Sequence, residues 1–225
     1  MLKVEHLYVS FTKEFYTLND INLELGDSSR LTIIGNKESG RTAMLRTLVG
    51  LEPVAKGEIR YKDIPLEKVD FERDISLGYL PAIGAFLDNK TVKQNLEYVI
   101  DIRSKDDSFK NVKVNNALIE YGLDYIKNKK VKELNYLDKL KLSIARLSLR
   151  NVEIFLIDDV FDRLSSIEKD KIIKNIKSLI RTNNASAIVM TDSEDVAKKF
   201  GYPVKYLVYG TLQDQAEVED VDNKK

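Results

Sequence analysis

The residues Gly35-Asn-Lys-Glu-Ser-Gly-Arg-Thr42 carry the most recognisable chemistry in this chain of 225 residues. Two glycines with four residues between them, followed by a cation and a hydroxyl, have the spacing of a phosphate-binding loop, or P-loop. In such a loop, backbone N–H groups and a helix N-terminus surround phosphate oxygens, the cation reaches the outer phosphates, and the hydroxyl binds Mg²⁺. Here the cation is Arg41 where the motif has lysine, and the hydroxyl is Thr42; Asn36, Lys37, Glu38 and Ser39 fill the loop between Gly35 and Gly40. A planar guanidinium is bulkier than an ammonium and hydrogen-bonds differently, so the exchange alters how phosphate is held. Glu38 adds a carboxylate, and like charges ~4 Å apart repel by about 1 kcal/mol even in water. Much later in the chain an apolar run ends in two acids, Asp158 and Asp159.

Such a loop works only between a strand and a helix. Arg30-Leu-Thr-Ile-Ile34 reads as a buried strand ahead of it, and Arg41 to Gly50 reads as a helix after it, with Met44, Leu45, Leu48 and Val49 apolar. Leu2 to Leu25 alternates apolar and polar residues, which predicts two or three antiparallel strands; Glu58 to Asp63 and Ser76 to Leu80 read as further strands. From Thr91 to about Val131 the apolar period becomes helical, and Leu134 to Arg150 is helical again. Glu153 to Ile157 is a continuous apolar strand, followed by a helix from about Ser166 to Arg181 and a strand from Ala187 to Met190. Alternating strands and helices of this kind predict an α/β fold around a mainly parallel sheet. Residues 1–215 read as one domain with a helical subdomain over about 91–150, and 216–225 as a flexible tail.

Composition narrows the function. Lys plus Arg and Asp plus Glu number 36 each, so no global positive field draws the chain to nucleic acid. Cys is absent and His6 is the single histidine, so neither disulfides nor a thiolate or histidine zinc cluster is expected. No window approaches the ~20 apolar residues that span a bilayer, and Met1 leads straight into a polar, strand-like segment. A cytoplasmic chain is expected, peripheral on the inner face of the cell membrane through a partner.

The whole stretch from Leu2 to Gln213 resembles the ATP-binding subunits of ABC transporters. Leu7-Tyr-Val-Ser-Phe11 resembles the opening strand, Phe11 matching the aromatic that stacks on adenine. Leu18-Asn-Asp-Ile-Asn-Leu23 is similar to the segment before the P-loop, and Leu48-Val-Gly-Leu51, Pro53 and Gly57-Glu-Ile59 to the stretch after it. Ser143-Ile-Ala-Arg146 resembles the helix behind the signature motif, Ile154 to Asp158 the Walker B strand, and Tyr209-Gly210 the closing turn. The resemblance implies a P-loop NTPase fold of the ABC type: a mainly parallel sheet core, an antiparallel β subdomain and a helical subdomain. It also implies ATP and Mg²⁺ as cofactors, an integral membrane permease subunit as partner, and a homodimer or a heterodimer with another ABC nucleotide-binding subunit.

Several matched positions depart from the family pattern. Ala82 stands where the Q-loop has glutamine, and Leu134-Asn-Tyr-Leu-Asp138 where the signature has serine and glycines, adding bulk at Tyr136 and Leu137 and charge at Asp138. Asp158 fits the metal-binding carboxylate of Walker B, together with Thr42 as metal ligand. Asp159 takes the place of the catalytic glutamate with one methylene less, and a misplacement of ~1 Å can cost on the order of a hundredfold in rate. Asp192 takes the place of the switch histidine, an acceptor for a donor, and Ser165 that of the D-loop aspartate. Weakened ATP and Mg²⁺ binding and a pseudo-ATPase follow as the expectation. A slow but genuine Mg-ATP hydrolase and a regulator that no longer binds nucleotide are the alternatives.

Overall fold

A computed structural model of the chain describes residues 2–10, 15–71, 73–103 and 108–215. In chain order the first half contains β1 (Leu2–Val9), β2 (Leu18–Leu25), β3 (Arg30–Ile34), α1 (Arg41–Leu48), β4 (Lys56–Tyr61), β5 (Ile64–Pro65) and β6 (Leu77–Leu80). There follow α2 (Val92–Asp101), α3 (Lys110–Glu120), α4 (Tyr136–Ser148), β7 (Ile154–Asp158) and α5 (Ser166–Thr182). β8 (Ser186–Thr191), α6 (Glu194–Phe200), β9 (Val204–Val208) and β10 (Thr211–Gln213) complete the order. The elements group into two compact units, one of residues 1–75 and 188–225, the other of residues 76–187. Among the described residues no helix is long and apolar enough to cross a membrane.

In the first unit β2, β1, β4 and β5 form an antiparallel sheet in that order. The alternation read from the sequence is the burial pattern: Leu2, Val4, Leu7 and Val9 of β1 and Leu18, Ile21, Leu23 and Leu25 of β2 are all buried. β4 stops at Tyr61, short of the expected Asp63, because Lys62 and Asp63 both take positive φ and make the two-residue turn into β5. β3 pairs in parallel with β9, which pairs antiparallel with β10. α1 buries Met44, Leu45 and Leu48, and its last turn is anchored by the Tyr61 hydroxyl donating to the Leu48 carbonyl at 2.7 Å. The helix ends before Gly50 because that glycine turns to φ 75.

In the second unit β6 and β7 pair in parallel, with Gly78 opposite Phe155. β7 is buried throughout, as its continuous apolar run requires. Leu140, Leu142, Ile144 and Leu147 of α4 and Ile172, Ile173, Ile176 and Ile180 of α5 form the apolar faces that cover this core. α2 begins with a capping box between Thr91 and Gln94 and buries Val92, Leu96, Val99 and Ile100.

Candidate functional site

The loop of the first unit is built around three devices. The Gly35 N–H donates to the Thr191 carbonyl at 3.1 Å, and a Cβ on Gly35 would stand 2.7 Å from the Leu207 carbonyl oxygen, so only glycine fits there. Asn36 gathers the next turn: its carbonyl accepts from the Ser39 N–H at 3.3 Å and the Ser39 hydroxyl at 2.8 Å, while its Oδ1 accepts from the Glu38 N–H at 3.0 Å. Ser39 is thereby buried, and Asn36, Lys37 and Glu38 remain exposed. Gly40 takes φ 96, a left-handed conformation, and a Cβ there would run into Leu18. With Gly40 as N-cap, no side chain caps α1 and no acid stands in its first turn, which leaves the end of the helix suited to an anion. Glycines at both ends and an uncapped helix fit a polyphosphate, with Arg41 as the cation and the exposed Thr42 as the hydroxyl on the metal side.

Arg41 does not project into solvent. Its side chain is 5% exposed, and Nη2 lies 3.9 Å from Oδ2 of Asp192, itself 35% exposed. Asp192 is held from both sides: Thr191 before it accepts the Gly35 N–H, and Ser193 after it caps α6 by accepting from the Val196 N–H at 3.3 Å. The Ser193 N–H also donates to Thr191 Oγ1 at 3.1 Å.

The second unit carries the two other groups of site residues. Asp158 closes β7, is 4% exposed, and accepts at Oδ2 from the Tyr79 hydroxyl of β6 at 3.3 Å. Asp159 is half-buried at φ 43, a left-handed conformation that Asp tolerates better than most residues. At the start of α4, Asn135 Oδ1 accepts from the Asp138 N–H at 2.8 Å, so the helix is capped by its own chain. Asp138 is buried in that first turn and faces Lys141 at 3.6 Å. The Tyr136 hydroxyl donates to the Val160 carbonyl at 2.8 Å, and the Arg163 guanidinium sits 5.4 Å from the centre of its ring. Burial raises the Tyr136 phenol above its usual range, which keeps it a donor. Ser165 forms a capping box with Glu168 at the head of α5. Ala82 is exposed and lines a groove of about 340 Å³ with Ile83, Phe86, Leu134, Tyr136 and Leu140. Replacing Asn135 with alanine is expected to lower stability by about 1 kcal/mol, read from denaturant unfolding, because the cap is lost.

Of the residues singled out by spacing, Gly35 to Thr42 and Asp192 thus belong to the first unit, and Asp158 and Asp159 to the second. Phe11 lies outside the described residues, as do residues 216–225. Sequence reasoning missed Tyr79 and Arg163 as neighbours of site residues. It also missed the cap at Asn135, although Asn three residues before an acid and an apolar helical period is a readable N-terminal signal.

A parallel strand, a loop closed by Gly35 and Gly40, and an uncapped helix opening on Arg41 and Thr42 define a P-loop protein of the α/β class. The chain belongs to the ABC transporter family, whose sequence model matches residues 18–162. It is 27% identical to the molybdate/tungstate import ATP-binding protein WtpC of Pyrococcus horikoshii, an alignment spanning 100% of this chain and 64% of that protein. It is 26% identical to the lipoprotein-releasing system ATP-binding protein LolD of Francisella tularensis subsp. tularensis, over 93% of each chain. The dimeric ATP-binding cassette MJ0796 bound to ADP and Pi shares the fold at a TM-score of 0.82, with 21% identity over 96% of this chain and 100% of that one. The family implies binding of ATP and Mg²⁺ in general.

Proposed function

We propose that this chain is a nucleotide-binding subunit that hydrolyses ATP weakly or not at all and acts by binding a membrane permease subunit or a second nucleotide-binding subunit. The observation that carries this reading is the head of α4. In a signature turn, small residues leave backbone N–H groups open to a phosphate; here Asn135 takes up the Asp138 N–H, Asp138 adds a buried carboxylate, and Tyr136 is tied to Val160. A helix end that is already capped and carries a buried carboxylate in its first turn is a poor receiver for a partner's nucleotide. Asp159 adds to this, since a short carboxylate on left-handed backbone is ill suited to reach an attacking water.

The loop from Gly35 to Gly40 and Arg41 would hold the phosphates of ATP, more weakly than a lysine-bearing loop. Thr42 offers the hard oxygen that Mg²⁺ takes, and the Asp158 carboxylate has the same chemistry. Bound Mg²⁺ would neutralise phosphate charge, and the chain's own part is to orient the nucleotide. Residues 1–215 act as one functional domain, with 91–150 as its helical subdomain, held at the inner face of the cell membrane by its partner. Names of relatives such as WtpC and LolD place those proteins in import and lipoprotein release, and a transport complex is the corresponding setting for this chain.

The test is Mg-ATP turnover of the purified chain beside Asp159→Asn. Equal rates in the two proteins, with ATP binding measurable by titration, are expected. A rate that Asp159→Asn abolishes would replace this reading with that of a slow hydrolase, and no binding with or without Mg²⁺ would replace it with that of a regulator without nucleotide.

A further inference from the structure

We infer that the loop of this chain prefers a nucleoside diphosphate to the triphosphate, because Asp192 holds the anion place opposite Arg41. The inference rests on the reading of Gly35 to Thr42 as a nucleotide loop and specifies which nucleotide it takes. In a loop of this spacing the backbone N–H groups cradle the inner phosphates, whereas the cation after the second glycine serves the outer ones. That cation is Arg41, 5% exposed and 3.9 Å from the Asp192 carboxylate. Thr191 ties the backbone before Asp192 to the loop and Ser193 ties the backbone after it to the head of α6, which keeps the Asp192 Cα beside Arg41. Asn36 shapes the inner part of the loop through hydrogen bonds that involve neither member of this pair. A diphosphate therefore keeps the backbone cradle, while a third phosphate brings further negative charge to a guanidinium already facing a carboxylate. Charges separated by ~4 Å in a partly desolvated site interact strongly enough to shift a binding constant by about tenfold or more.

The experiment is calorimetric titration of the whole chain with ADP and with ATP, each with Mg²⁺, for the wild type and for Asp192→Asn, with Asp192→Ala as a second variant and a thermal melt of each. The wild type is expected to bind ADP at least as tightly as ATP, and both variants to shift the preference about tenfold toward ATP. ATP binding tenfold tighter than ADP in the wild type, or a variant that moves both affinities equally, overturns the inference and leaves the nucleotide loop standing. Failure of folded wild type and folded variants to bind either nucleotide overturns the nucleotide loop itself, and the preference with it.

Discussion

Replacing Phe155 with alanine is expected to lower the stability of the protein by about 3–5 kcal/mol, the usual cost of emptying a buried aromatic site. Phe155 is 1% exposed near the start of β7, and its ring fills the space left by Gly78 on β6, where an added Cβ would stand 3.1 Å from Cδ1 of the ring. Val152 presses on the same spot, 2.8 Å from that Cβ position, so the backbone of β6 has a ready-made shape that alanine cannot fill. For a chain of this size 1 kcal/mol moves the melting temperature by roughly 2–4 °C, so a fall of about 6–20 °C in a calorimetric scan is expected. A shift under about 2 °C would mean that the strand repacks freely. Asp158 closes the same strand three residues later, so the loss also loosens the carboxylate that Tyr79 holds.

Arg41→Ala is expected to weaken nucleotide binding by roughly 10- to 150-fold, the equivalent of one charge-assisted hydrogen bond of about 1.5–3 kcal/mol. Arg41→Lys should keep or improve the wild-type affinity, because it retains the charge and restores the compact ammonium of a lysine-bearing loop. Equal losses in the two variants would mean that the guanidinium shape, and not its charge, is what the loop uses. Unchanged affinity in Arg41→Ala would remove Arg41 from the binding site. Thermal melts of both proteins separate affinity from folding, since Arg41 is buried and its removal leaves Asp192 without the cation 3.9 Å away.

The core strands of each unit were legible because apolar runs mark them: Leu31 to Ile34 and Ile154 to Ile157 are buried as continuous runs, and β3 begins and ends where the sequence places it. Boundaries were less legible where one residue's backbone decides them, as Asn135 does by capping a helix that starts at Tyr136, two residues after the expected Leu134. α6 escaped notice because seven residues ending in Lys198, Lys199 and Phe200 give too little helical period to stand out. Site residues could be named one by one from type and spacing. Their partnerships could not, since Tyr136 meets Val160 24 residues away and Tyr79 meets Asp158 79 residues away, and no local pattern encodes such distances.

The unit that holds the loop is assembled from both ends of the chain, whereas residues 76–187 are continuous. During synthesis the Gly35 N–H therefore waits for Thr191, and β3 waits for β9, until the intervening residues 76–187 and the segment after them have emerged from the ribosome. A nascent chain stalled anywhere before Thr191 carries every residue from Gly35 to Thr42 and yet lacks the carbonyl that holds Gly35 and the strand that flanks β3, so the loop takes its final shape long after its own residues are made.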